Sequence, residues 1–124
     1  MEIQVITDIH LELYKTYIKI KPLCKYLCLA GDIGNISNDN NKNKFISFLN
    51  YYNKNWIKIL YIFSNNDTLS YTEIEKEITN IINQYENIYL LNNSYIELEN
   101  INIYGTTLWT YCQNQNIYII YQLK

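Results

Sequence analysis

Three short polar stretches carry side chains that could bind a metal. Each stretch directly follows an apolar run of the chain. The first carries Asp8 and His10, the second carries Asp32, and the third carries Asn65. Carboxylates, an imidazole and an amide oxygen suit hard or borderline divalent metals. A spacing of two residues places Asp8 and His10 on one face of an extended strand, so both can bind the same ion. The pattern therefore predicts a site for divalent cations.

Two cations at such a site would indicate one kind of chemistry. Two metal ions a few ångströms apart clamp a phosphate, generate hydroxide at neutral pH and stabilise the leaving oxygen. The Asp32 carboxylate has two oxygens and could bridge both ions, while Asn65 would bind the second. The chemistry predicted is phosphoester hydrolysis without a covalent phospho-enzyme. The competing interpretations are a surface position for His10, a turn aspartate beside Gly31 and an Asn in an Asn-rich loop.

The elements that must position these residues can be read from the apolar pattern. Six short apolar runs predict strands, at residues 3–6, 23–30, 57–63, 88–91, 95–98 and 101–104. Residues 3, 5 and 6 are apolar and predict a buried first strand. In an open α/β sheet, ligands bind beyond the carboxyl ends of the strands, and the polar stretches follow three such ends.

Two stretches have the periodicity of amphipathic helices. Apolar residues recur at helical spacing over residues 45–56 and again over residues 74–85. Ser70 and Glu73 form a capping-box pattern that predicts the start of the second helix. The Asn-rich residues 34–43 are predicted to be a loop. The resulting element order predicts an α/β domain whose first three strands are parallel.

Composition argues against several other classes of protein. The net charge is −2, and the ten basic residues are all Lys. Without Arg or a broad cationic field, nucleic acid is expected as a partner only if it is the substrate. No apolar run is long enough to span a membrane, and the first residues do not resemble an export leader. A cytoplasmic protein without membrane association is therefore expected.

Of the three cysteines, Cys24, Cys28 and Cys112, the first two could supply half of a zinc site, but the chain has no second Cys pair and a single His. Free thiols fit a reducing compartment. Cys24 and Cys28 are expected to point to one buried face of a strand.

The ordered motifs resemble those of the calcineurin-like metallophosphoesterase superfamily. The similar blocks are TDIHLE (residues 7–12), LAGDIGN (29–35), SNND (64–67) and GTTLW (105–109). The resemblance implies a layered α/β sheet with flanking helices. It also implies that residues 1–110 form the N-terminal part of the family domain, with residues 111–124 as an unassigned tail.

The resemblance also implies roles for the ligands named above. Asp8 and His10 would bind one metal, Asp32 would bridge two, and Asn65 would bind the second. The implied cofactors are divalent ions such as Mn, Fe or Zn. The family binds two ions, and two, one or none are the alternatives for this chain.

Two departures from the family pattern bear on activity. Asn66 stands at the degenerate position of a family histidine that contacts the phosphate and donates a proton. An amide cannot supply that proton, and losing a general acid typically costs about 10²–10⁴ in rate. The family also uses later histidines, whereas His10 is the single His of this chain. The second sheet is therefore expected to be incomplete, and a second chain could complete the site.

The sequence is compatible with two functions. One is a metal-dependent phosphoesterase that hydrolyses a phosphomonoester or phosphodiester, weak or inactive as this isolated chain. The other is a non-catalytic remnant of the fold that acts as a binding or scaffold module. The motif order favours the first, whereas the single His and Asn66 favour the second.

Overall fold

The computed structural model describes residues 1–64 and 71–107, and the structural statements below concern those residues. The strands are β1 (Ile3–Ile6), β2 (Tyr26–Ala30), β3 (Lys58–Ile62), β4 (Ile88–Leu90), β5 (Ser94–Leu98) and β6 (Ile101–Gly105). The helices are α1 (Asp39–Asn55) and α2 (Tyr71–Ile82), and Leu11–Leu13 forms a 3₁₀ turn. Neither helix of this described part is both long and apolar enough to cross a membrane.

Four strands form one parallel sheet in the order β1-β2-β3-β4. The α/β class and the parallel pairing of the first three strands are confirmed. The fourth strand joins the same sheet and runs parallel to β3. Helix α2 returns the chain to the end of the sheet at which the strands begin, as a parallel connection requires. Strands β5 and β6 pair separately as an antiparallel hairpin.

One face of the sheet packs against the helices. Leu27 and Leu29 of β2 alternate toward this face, and both are fully buried. Helix α1 meets them with apolar residues at helical spacing, namely Phe45, Phe48, Leu49 and Tyr52. Tyr52 stacks between Phe48 and Trp56, with ring centroids 3.9 and 5.0 Å away. This aromatic column fixes α1 over the strands whose ends carry the polar stretches.

The opposite face is covered only in part, by the β5–β6 hairpin. Leu60 of β3, Leu91 and Leu98 form a small buried cluster there. Val5 of β1 faces the same side and is 62% exposed. The expectation of a fully buried first strand is therefore wrong, and within it only Ile6 is buried. The reason is that β1 is an edge strand, and the hairpin packs on residues of the other three strands.

Two local expectations are also wrong. Residues 39–43 belong to α1 rather than to a loop, because the Asn38 side chain accepts a hydrogen bond from the Asn41 N–H at 2.9 Å and caps the helix. Cys24 does not share a strand face with Cys28, since β2 begins only at Tyr26. Both thiols are half-buried. Cys112 and the capping residue Ser70 lie outside the described residues.

Candidate metal site

The first two polar stretches form turns that continue the sheet beyond its strands. Three backbone hydrogen bonds join the turns: from the Asp8 N–H to the Gly31 carbonyl (3.2 Å), from the His10 N–H to the Asp32 carbonyl (3.0 Å), and from the Leu11 N–H to the Ile33 carbonyl (2.9 Å). The pairing of β1 with β2 is thereby extended into the loops. The two turns are held together by main-chain contacts, independently of any side chain.

The three predicted ligands on these turns share an uncommon backbone conformation. Asp8, His10 and Asp32 have φ values of 55°, 51° and 50°, in the left-handed region. Non-glycine residues seldom adopt this region, and such residues concentrate at functional sites.

These side chains meet at one point. Asp8, His10 and Asp32 each offer a ligand atom, and the three atoms lie within 4.8 Å of one another. Atoms bound to one ion at about 2.0–2.2 Å can be at most about 4.4 Å apart, so small side-chain rotations suffice to bind a single ion. Asp8 is exposed, whereas His10 and Asp32 are partly buried. Two carboxylates and an imidazole therefore form a fitting, solvent-accessible donor set for a divalent cation.

Hydroxyl groups orient both carboxylates. Thr7 Oγ1 lies 2.8 Å from Asp8 Oδ2 and 3.0 Å from the Ala30 carbonyl, so it can donate to either. Ser64 Oγ donates to Asp32 Oδ1. Ser64 follows β3, so the third strand end also reaches the site, as the sequence predicts. Asn65 and Asn66 lie outside the described residues, and their proposed roles stay predictions.

Glu12 is a neighbour of the site that sequence reasoning did not assign. Its Oε1 lies 3.1 Å from His10 Nδ1, and its Oε2 accepts a hydrogen bond from the Asn35 N–H at 3.2 Å. Partial burial would raise the pKa of Glu12, but hydrogen bonds from its own backbone N–H, from His10 and from Asn35 outweigh it and lower that pKa. A carboxylate two residues after the single His is the sequence signal that could have identified it.

Gly34 is a second unassigned residue with a role in the site. A Cβ atom at this position would lie 2.8 Å from Leu11 Cβ, inside the contact distance of real side chains. Leu11 follows His10 and is 1% exposed. The missing side chain therefore lets the turn after β2 approach the turn after β1.

An open cavity of about 310 Å³ lies beside Asp32 and Ser64. Thr106 and Thr107 also line it, and Thr107 Oγ1 donates to the Phe63 carbonyl at 2.8 Å. This hydrogen bond fixes Thr107 next to Asp32 and Ser64.

A larger cavity, of about 430 Å³, is lined by residues before or at the start of β1 and β2 and by Glu99 between β5 and β6. Within residues 1–64 and 71–107, the Asp8–His10–Asp32 group is the one cluster of three acidic, His or Cys residues that could bind a metal. Chemistry rather than size therefore selects the cavity beside Asp32 as the candidate site.

Comparison with known proteins gives one relative but no family. No family model matches the chain, and no solved structure matches it. The chain is similar to uncharacterized protein L509 of Acanthamoeba polyphaga mimivirus, with 32% identity over 92 residues. The match covers 68% of this chain and 31% of that protein, so the chain spans less than a third of the length of this relative.

Proposed function

We propose that this chain binds a divalent cation through Asp8, His10 and Asp32 and uses it to hydrolyse phosphoesters. The observation that carries the proposal is the approach of these three ligand atoms to within 4.8 Å of one another. Mn, Fe and Zn suit a donor set of two carboxylates and an imidazole. The metallophosphoesterase layering of the fold is part of this proposal, supported by the motif order and by the parallel sheet, at whose edge Asp8, His10 and Asp32 converge.

A bound divalent cation would polarise a phosphoryl oxygen and lower the pKa of a coordinated water. The residues of the chain prepare the surroundings. The Ser64 hydroxyl orients the Asp32 carboxylate, and the adjoining cavity offers space for a phosphoester beside it. We propose Asn65 as a further ligand, and a second chain as the source of any others.

The substrate preference follows from the residue at position 66. An amide can donate a hydrogen bond to a phosphate oxygen but cannot protonate a leaving group at neutral pH. Esters whose leaving group is already acidic, such as aryl phosphates, depend least on that proton. The proposed activity is therefore strongest on aryl phosphates and aryl phosphodiesters.

A non-catalytic metal-binding or scaffold module is the second candidate. It is favoured by Asn66 and by a described ligand set that contains only one His. The two candidates differ in turnover, and the second binds one ion weakly or none.

Calorimetric titration with Mn²⁺ and hydrolysis of p-nitrophenyl phosphate and its diester test the proposal together. We compare the parent chain with Asp32→Asn, which keeps the size of the side chain, and with Glu97→Gln, an exposed carboxylate on β5. Binding and turnover in the parent and in Glu97→Gln, with loss of both in Asp32→Asn, support the phosphoesterase. Mn²⁺ binding without turnover above a metal-only blank supports the binding module. Equal Mn²⁺ binding or equal turnover in Asp32→Asn and the parent contradicts the phosphoesterase.

A further inference from the structure

We propose that Glu12 is a positioning residue that fixes the tautomer and orientation of the His10 ring. The inference rests on the proposed metal site, because the ring is one of its three ligands. It starts from the 3.1 Å approach of Glu12 Oε1 to His10 Nδ1. An ionised carboxylate only accepts hydrogen bonds, so Nδ1 must carry the proton. Nε2 is then left with its lone pair for the cation.

The second oxygen of Glu12 holds the carboxylate in place. Oε2 accepts from the N–H of Asn35, three residues after Asp32. The Glu12 carbonyl also accepts from Lys44 Nζ at 3.2 Å, which attaches the 3₁₀ turn to α1. Glu12 is thus fixed from both sides, and its side chain is 21% exposed.

Carboxylates that accept from the distal nitrogen of a metal-binding histidine commonly set its tautomer and raise its basicity. Glu12 stands in that relation to His10. Its link to Asn35 adds a second effect, since it couples the orientation of the ring to the turn that carries Asp32.

Glutamine is a demanding substitute at this position. Its amide has one acceptor oxygen and one NH₂ group, whereas both neighbours of Glu12 donate. Glu12→Gln can keep both contacts only if its oxygen accepts from the Asn35 N–H and its NH₂ group donates to an unprotonated Nδ1, which moves the ring proton to Nε2. We therefore expect Glu12→Gln to favour the Nε2-protonated ring at least as strongly as Glu12→Ala, and to weaken Mn²⁺ binding.

The tautomer can be measured without a metal, because the chain contains a single His. Ring ¹⁵N chemical shifts of the EDTA-treated chain at about pH 8, where an ordinary imidazole is neutral, separate protonated from unprotonated nitrogens. The parent and Glu97→Gln are expected to have a protonated Nδ1 and an unprotonated Nε2. Glu12→Ala is expected to shift the ring toward the Nε2-protonated form. A parent ring protonated on Nε2, or a tautomer unchanged in Glu12→Ala, overturns the inference.

Mn²⁺ titration of the same variants measures how much the contact of Glu12 with His10 contributes to metal affinity. Loss of such a carboxylate typically weakens metal binding about 10–100-fold, and we expect this for Glu12→Ala. A folded Glu12→Ala with the Mn²⁺ affinity of the parent overturns a positioning role for metal binding. If the parent binds no Mn²⁺ but has the Glu12-dependent tautomer, the metal site fails while the control of the ring by Glu12 stands.

Discussion

Asp8, His10 and Asp32 each adopt a backbone conformation that glycine adopts more readily. Strain of this kind persists only where surrounding structure enforces it. Here the hydrogen bonds between the two turns enforce it, since the Asp8 and His10 N–H groups donate to the partner turn. The ligands therefore lower the stability of the metal-free chain while they place three donors together.

Replacing Asp8 by glycine or by alanine separates these two effects. Both variants lose a ligand, but only Gly relieves the left-handed conformation. We expect Asp8→Gly to be more stable than Asp8→Ala by about 1 kcal/mol in the free energy of unfolding, and neither to bind Mn²⁺. Urea unfolding in EDTA measures the first effect, and calorimetry the second. If the two variants are equally stable, the strain at Asp8 is negligible.

At the same scale, the sequence pattern predicted which side chains converge better than it predicted their surroundings. Asp8, His10 and Asp32 could be predicted to converge because parallel strand ends share an edge of the sheet. The contact of Glu12 with His10 could not be predicted in this way. It depends on the left-handed conformation of His10 before the 3₁₀ turn, and strand periodicity carries no information about that conformation.

At the scale of elements, helical periodicity predicted the helices because each has one buried face, and short apolar runs predicted the strands. The start of α1 could not be predicted, since Asn is a poor helix former and is abundant along the whole chain. The sequence alone therefore does not distinguish Asn38, which caps the helix, from the other Asn residues around it. The attachment of the long segment between β1 and β2 was also unpredicted. The structure attaches it to α1 through Tyr52.

The Tyr52 hydroxyl donates to the Ile18 carbonyl at 3.0 Å and accepts from the Ile20 N–H at 3.3 Å. Tyr52→Phe leaves both backbone groups without this partner. We expect a loss of about 1–3 kcal/mol in the free energy of unfolding, measured in urea. Tyr95→Phe, on the exposed side of the hairpin, is the control and should change little. A loss in Tyr52→Phe no larger than in this control would mean that the hydroxyl does not stabilise the attachment.

The same residue makes stability depend on alkaline pH. Burial raises the pKa of Tyr52 to about 12, although the Ile20 N–H opposes this shift in part. An unfolded tyrosine ionises near pH 10, so the folded state binds more protons than the unfolded state between these values. Stability should therefore fall as the pH rises above about 10. The free energy of unfolding, measured in urea, should fall less between about pH 9 and about pH 11 for Tyr52→Phe than for the parent. Identical differences would contradict the burial effect.

At the scale of the whole molecule, the two faces of the sheet are unequally covered. The helix side forms the larger core, which includes Ile6, Leu27 and Ile59. The hairpin side has a smaller cluster around Leu60 and leaves Val5 mostly exposed. Neighbouring residues of one strand therefore make very different contributions to stability.

Serine substitutions at Val5 and Ile6 test this asymmetry. Ile6→Ser removes a buried side chain from the helix side and should cost about 2–5 kcal/mol in the free energy of unfolding. Val5→Ser changes an exposed position and should cost less than about 1 kcal/mol. Urea unfolding of the two variants measures both values. Similar losses would mean that the hairpin face is covered in solution.

The main-chain bonds between the turns after β1 and β2 have a consequence for how an ion would arrive and leave. Small zinc domains are unfolded until the ion binds, so chelators denature them. Here the Asp8, His10 and Leu11 amides are already engaged with the neighbouring turn. Binding of an ion would therefore need only rotation of the three side chains and loss of water from the ion. Removal of an ion should leave both turns folded and able to bind another. The fraction of chains with a bound ion could then follow the free ion concentration without unfolding of the chain.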